Sequence, residues 1–120
     1  ASAESMATIE GEVFALAQDI AATRGLTFIS RVVDKTAPVT VAPRLVSLIE
    51  EECRGLGYPS MRMTSGAGHD AQILAGGCDA GMIFIPSPDG ISHSPGERIV
   101  WDDLEKGANL LLRTILRLAA

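Results

Sequence analysis

The chain has 120 residues, of which 47% are hydrophobic and 4% aromatic, so it can form one modest hydrophobic core. Its formal net charge of −5 argues against nucleic acid as the main partner, because phosphate binding requires a clustered cationic surface. No apolar run approaches the roughly 18 residues that a membrane span requires, and no signal peptide pattern is visible. We therefore expect a cytoplasmic protein with reduced Cys53 and Cys78 that binds neither nucleic acid nor membrane.

The N-terminal region, up to about residue 37, contains one helix pattern and one strand pattern. Apolar residues recur every three or four positions from Met6, and Gly25 follows the last turn as a C-cap, which is typical of an amphipathic helix. The β-branched and aromatic segment 26–33 predicts a strand. Since one helix and one strand cannot enclose a core, we expect the tail of another domain. Because the chain starts at Ala1 and not at Met, we also expect a piece or processed product of a longer protein.

From about residue 38 onward, helix and strand patterns alternate. Strands are predicted at 61–64 and 80–86, and the second is a continuous apolar run, as expected for a strand covered on both faces. A short helix at 69–75 separates them. This alternation predicts an α/β layer with at least partly parallel strands.

Two longer helices flank these strands. The first begins at Pro43 and ends at Gly57, and Asp102 or Asp103 caps the last one. The segment Glu50–Glu52 lies mid-helix on the polar side, where we expect a solvated face. The predicted apolar faces are Leu45, Ile49, Cys53 and Leu56 in the first helix and Leu104, Ala108, Leu111, Ile115 and Leu118 in the last.

The turn S-G-A-G-H-D-A-Q at 65–72 has more than one interpretation. Gly66-x-Gly68-x-x-Ala71, with Asp89 after the next strand, resembles a dinucleotide-binding fingerprint. A lone fingerprint is a weak signal, however, and the helix that follows is shorter than a normal Rossmann helix.

Two further interpretations of this turn centre on His69. Ser65, His69 and Asp70 would form a nucleophilic set, but Asp70 adjoins His69 on a helix and points elsewhere. Alternatively, backbone N–H groups and His69 at a helix N-terminus would bind an anionic or carbonyl-bearing ligand. The last interpretation fits the chemistry best.

A second polar loop, after the strand predicted at 80–86, carries His93. It is rich in Gly, Ser and Pro, so packing alone does not explain a histidine there. Its roles could be metal ligand, acid or base, or surface residue, and Glu97 could orient the ring of a metal-bound His93. If the two strands are neighbours in one sheet, His69 and His93 face the same cleft.

Four segments between residues 65 and 112 read SGAGHDAQ, GMIFIPS, DGISHSPGE and GANLLL. They closely resemble the C-terminal part of the hydantoinase/carbamoylase family of zinc-dependent amidohydrolases, within the aminoacylase-like metallopeptidase superfamily. The resemblance implies a homodimeric subunit with a catalytic α/β domain and an inserted α+β lid. On that basis residues 1–37 are the last helix and strand of the lid or dimerisation domain, and residues 38–120 are the C-terminal part of the catalytic domain.

The resemblance also implies roles for individual residues. His93 would bind one metal of a two-metal site that holds Zn, Mn or Co. Glu97 would contact His93 without binding the metal itself. His69 would be catalytic and would stabilise the tetrahedral intermediate. The substrate-contacting residues implied are Ser65, Gly66, Gly68 and His69.

The implied activity is hydrolysis of the carbamoyl or ureido C–N bond of an N-carbamoyl amino acid or an allantoate-like substrate. The other metal ligands and the catalytic glutamate of the family have no counterpart in this sequence, so we expect this chain alone to bind metal weakly and to be inactive. The remainder of the catalytic domain would complete the site. An alternative hypothesis is a non-catalytic remnant or interaction module that dimerises through its helix-strand tail.

Overall fold

A computed structural model describes residues 2–120. Its four α-helices are α1 at Ala3–Thr23, α2 at Pro43–Gly55, α3 at Asp70–Leu74 and α4 at Trp101–Ala119, with a 3₁₀ turn at Pro88–Gly90. The chain divides into two compact units, Ala1–Val39 and Thr40–Ala120. The assignment of these regions to a lid and a catalytic domain stays a prediction. Within residues 2–120, no helix is both long and apolar enough to cross a membrane.

The first unit is built on α1, which forms where the sequence pattern predicts a helix. Ser2 and Ser5 cap its start reciprocally, and Gly25, with a φ of 65°, ends it as the predicted C-cap. The Phe14 ring lies 6.4 Å from the Phe28 ring, centroid to centroid. The apolar stripe of α1 nevertheless stays 45–61% exposed in this structure. Its members are Met6, Ile9, Val13, Leu16 and Ile20.

In the second unit, α2 packs against α4. The predicted α2 face is confirmed, because Leu45 and Cys53 are buried, and Gly57 has the left-handed φ of 72° that follows a helix end. In α4 the buried residues are Leu110 and Thr114. The predicted apolar stripe of α4 is not the face that packs on α2. Four of its members are 36–52% exposed in this structure, namely Leu104, Leu111, Ile115 and Leu118. Both cysteines are free, as predicted.

Ion pairing explains why α4 turns this other face toward α2. The carboxylate of Glu52, which is 5% exposed, accepts hydrogen bonds from Arg113 Nε and Arg117 Nη1, each at 2.8 Å. Arg113 and Arg117 are four residues apart and so lie on one side of α4. The hydrogen bond from Arg113, and after it that from Arg117, keeps the pKa of Glu52 below its ordinary value. The expectation of a solvated face is thus wrong for Glu52, because two guanidinium groups cover its carboxylate.

None of the three predicted strands is paired in the structure, and residues 2–120 contain no strand. A strand needs a neighbouring strand for its backbone hydrogen bonds, and the described residues supply none. The segment 80–86 is instead fixed at its start, where Ala42 N–H donates to the buried Ala80 carbonyl at 2.9 Å. The helices therefore form where predicted, but neither Asp102 nor Asp103 caps α4, because that helix begins at Trp101 with Val100 at the N-cap position. The α/β class is not confirmed by this structure.

Gly107 lies where α4 closely approaches the segment 80–86. A Cβ added at Gly107 would lie 2.5 Å from Ile85 Cγ2, a methyl group on a stiff β-branched side chain. We expect Gly107→Ala to lower the free energy of unfolding by up to ~2 kcal/mol. Overpacking costs about 1–3 kcal/mol, and the higher helix propensity of Ala returns only about 1 kcal/mol.

Gly11→Ala in α1 is the matched control, because a Cβ there meets no atom within 4 Å. This change should raise the free energy of unfolding by about 0.5–1 kcal/mol, as in an open helix interior. Urea denaturation followed by circular dichroism measures both variants. Equal stabilisation by the two substitutions would contradict the close contact at Ile85.

Candidate functional site

The turn at 65–69 brings Ser65 and His69 into direct contact. Ser65 Oγ lies 2.8 Å from His69 Nε2, and the same hydroxyl accepts a hydrogen bond from Ala67 N–H at 3.2 Å. Ser65 therefore both closes the turn and holds one ring nitrogen of His69. Ser65 is exposed and His69 is half-buried, so this pair remains accessible to a small ligand.

His69 is also fixed by its backbone and by an aromatic ring. Its N–H donates to Gln72 Oε1 at 3.2 Å, and its carbonyl accepts from Gln72 N–H at 2.8 Å, at the start of α3. The Phe84 ring meets the imidazole edge-on, with centroids 5.6 Å apart and planes at 68°. Phe84 was not predicted as a site residue, although its place in the apolar run beside a histidine-bearing turn is a signal that could have identified it.

The glycines of the turn have no steric role among the described residues. Neither Gly66 nor Gly68 has a left-handed φ, and a Cβ at Gly66 meets no atom within 4 Å. A Cβ at Gly68 would stand 3.6 Å from Gln72 Oε1, which is ordinary van der Waals contact. Contact of these two glycines with substrate therefore stays a prediction.

The structure bears on two of the open interpretations of the turn. For the dinucleotide fingerprint, α3 has five residues, and Asp89 is already paired with Arg98 Nη2 at 2.9 Å. For a nucleophilic set, Ser65 and His69 do meet, while Asp70 begins α3. Both arrangements are less suited to those chemistries than to a histidine that contacts a polar ligand.

The second polar loop runs from Ser87 to Arg98 and carries His93. His93 has a φ of 54°, and its N–H donates to Glu97 Oε2 at 2.9 Å. The Glu97 N–H in turn donates to the Ser94 carbonyl at 2.9 Å. The contact between Glu97 and His93 is thus made through the backbone, while a role for Glu97 at the ring stays a prediction.

The predicted site residues form two pairs, Ser65 with His69 and His93 with Glu97. Within residues 2–120, no three His, Cys, Asp or Glu side chains come together in a group that could hold a metal ion. A metal site needs three or four donors, so the described residues do not form a complete one. The imidazole of His93 is exposed and is chemically suited to supply one such donor.

Comparison with known proteins identifies a matching family and several relatives of this chain. Residues 11–117 match the model of the peptidase family M20/M25/M40. The chain is 39% identical over 103 residues to the N-carbamoyl-L-amino acid amidohydrolase of Geobacillus stearothermophilus, covering 86% of this chain and 25% of that protein. It is 44% identical over 82 residues to the allantoate amidohydrolase of Escherichia coli, covering 68% of this chain and 20% of that protein.

A third relative, an uncharacterised hydrolase of Haemophilus influenzae, is 41% identical over 111 residues, which cover 89% of this chain and 27% of that protein. The chain thus spans about a quarter of the length of the curated relatives it matches. The named relatives are amidohydrolases, which confirms the resemblance drawn from the two histidine-bearing motifs.

Proposed function

Because the chain belongs to the peptidase family M20/M25/M40, we propose that the protein carrying it is a metal-dependent amidohydrolase. Its substrate would be an N-carbamoyl amino acid or an allantoate-like ureido compound, the substrates named for two relatives. The observation that carries the proposal is the turn at 65–69, where Ser65 and Phe84 hold an accessible imidazole of His69.

The proposed reaction is hydrolysis of one C–N bond. The oxygen of water adds to the carbamoyl carbon, the bond from that carbon to the amino nitrogen breaks, and the nitrogen leaves as an amine after taking up a proton. The remaining carbamate breaks down to carbon dioxide and ammonia. His69 Nε2 would leave Ser65 Oγ and donate a hydrogen bond to the carbonyl oxygen as negative charge develops there.

We propose that His93 supplies one ligand to the metal, with the other donors coming from outside residues 2–120. When bound, the metal would polarise the carbonyl and lower the pKa of a coordinated water. Histidine and carboxylate donors accept Zn, Mn or Co, so the metal is proposed only as one of these three. Members of this peptidase family are generally metal-dependent, which supports this assignment.

The exposed stripe of α1 supports a proposal about assembly. Five apolar side chains that are 45–61% exposed on one helix are suited to contact with another protein surface. We propose that this stripe contributes to a homodimer, and that the protein acts in the cytoplasm. A non-catalytic module that dimerises through the same stripe is the competing function.

The test is an ammonia-release assay on the full-length product of the gene that carries this sequence. The substrates are N-carbamoyl-L-amino acids and allantoate. N-acetyl-L-amino acids and dipeptides are the comparison compounds, and because their hydrolysis releases no ammonia, it is followed by the amino acid set free. We expect release from at least one ureido compound, loss of activity after chelation, and its return with Zn, Mn or Co. Dimers that hydrolyse none of the ureido compounds in any of these metals would refute the enzyme and support the interaction module.

A further inference from the structure

We propose that Glu97 is a positioning residue that holds the backbone of His93 in the conformation from which its imidazole is presented. The inference rests on the proposed function, in which His93 is a metal ligand. It concerns a contact of the main chain and is separate from any effect of Glu97 on the imidazole ring.

The backbone of His93 requires such support. Its φ of 54° lies in the left-handed region, which residues with a Cβ seldom occupy. Glu97 Oε2 accepts the His93 N–H at 2.9 Å, and the Glu97 N–H donates to the Ser94 carbonyl at 2.9 Å. Residues 93–97 therefore form a closed turn in which the glutamate contributes both a side-chain acceptor and a backbone donor.

A second contact closes the loop around this turn. Asp89, whose φ of 64° is also left-handed, pairs through Oδ2 with Arg98 Nη2 at 2.9 Å. Arg98 directly follows Glu97, so the two side chains bind back to earlier residues of the same loop. His93 is exposed, and packing around its side chain does not fix its position. The hydrogen bond from its own N–H is then the most direct restraint on where the imidazole stands.

The chemistry of the acceptor separates this role from others. Glutamine has the same length as glutamate and a carbonyl oxygen that accepts the His93 N–H, whereas alanine has no acceptor. A charge or ligand role of Glu97 would instead be lost in both variants, because a neutral amide does not replace a carboxylate. Glu97→Gln should therefore keep the hydrogen bond that restrains the His93 backbone, and Glu97→Ala should lose it.

The experiment uses the full-length gene product labelled with ¹⁵N only at histidine. Exchange of the His93 amide with water is measured by NMR in the metal-free protein, and zinc affinity is measured by competition with a chelator. We expect Glu97→Ala to speed amide exchange by about tenfold or more and to weaken zinc binding by about 10- to 100-fold, the range typical for residues that support a ligand. Glu97→Gln should stay within about threefold of the unsubstituted protein in both.

Ser94→Ala is the control within the same loop. It removes a hydroxyl that accepts only a long bond of 3.4 Å from Gly96 N–H, and it leaves the Ser94 carbonyl in place. It should resemble the unsubstituted protein in both measurements. Unchanged amide exchange in Glu97→Ala would overturn the proposal, as would a Glu97→Gln variant that binds zinc as weakly as Glu97→Ala.

The amide measurement also separates this inference from the proposed function. It needs no metal, so it reports on the His93 backbone whether or not the protein binds zinc. If the unsubstituted protein bound none of Zn, Mn and Co, the proposed function would fail. The exchange rates of the Glu97 variants would still decide whether this carboxylate holds the His93 backbone.

Discussion

Replacement of His93 by Ala in the full-length protein is expected to remove bound metal and hydrolysis together. As a proposed ligand, its imidazole cannot be replaced by a methyl group, and the exposed loop around it offers no second histidine. Substitution of residues that only support metal ligands already lowers metal affinity by about 10- to 100-fold. Substitution of a ligand itself should therefore lower metal affinity by at least the upper end of that range. Metal content by elemental analysis and ammonia release from the preferred ureido substrate measure the two effects.

His93→Gly is the matched variant, because the φ of 54° at this position suits glycine better than alanine. If the loss came only from backbone strain in the alanine variant, the glycine variant would keep its metal. We expect both variants to lose metal equally, and added imidazole to restore part of the binding in the glycine variant. Normal metal content in His93→Ala would refute the ligand assignment.

Some helix ends of this chain could be predicted from sequence because the residues that mark them act through their own backbone conformation. Pro43, Gly25 and Gly57 mark helix ends through their own backbone preferences, and the structure has helix ends at each of them. The rotation of α4 depends instead on Glu52 meeting two arginines more than 60 residues away along the chain. Apolar periodicity carries no information about such pairing, so the face of α4 that contacts α2 could not be identified from it.

The strands could not be predicted reliably for the same reason. The segment 80–86 has the composition of a buried strand, but strand pairing is a property of two segments, and residues 2–120 contain no partner for it. The buried Ala80 and the contact of Gly107 with Ile85 show that the segment still packs beside helices of the second unit.

Part of the candidate site was also predictable. The resemblance of the two histidine-bearing motifs to a known family pointed to Ser65, His69, His93 and Glu97, and the structure joins them as two pairs. The nature of each contact was not predictable, because a hydroxyl on an imidazole nitrogen and a carboxylate on a backbone amide both depend on loop conformation. The left-handed φ of His93, in particular, has no sequence signal comparable to a glycine.

His69→Ala should give the complementary result, with metal retained and turnover lost. Its ring is proposed to donate to the developing oxyanion, and removal of one such donor costs about 10²- to 10³-fold in kcat. KM should change much less, because the interaction is strongest in the transition state. Steady-state kinetics and elemental analysis on the same preparation measure the rate and the metal together.

Ser65→Ala distinguishes chemistry by His69 from structural support of the turn. It removes the hydroxyl that lies 2.8 Å from Nε2 and accepts the Ala67 N–H, while the Phe84 contact stays available to the ring. Since Ser65 must release Nε2 before substrate can use it, Ser65→Ala should keep most of the turnover. A loss in Ser65→Ala as large as that in His69→Ala would mean that the turn itself, and not the imidazole, carries the effect. Loss of metal in His69→Ala would place this histidine among the ligands and contradict the division of roles between the two motifs.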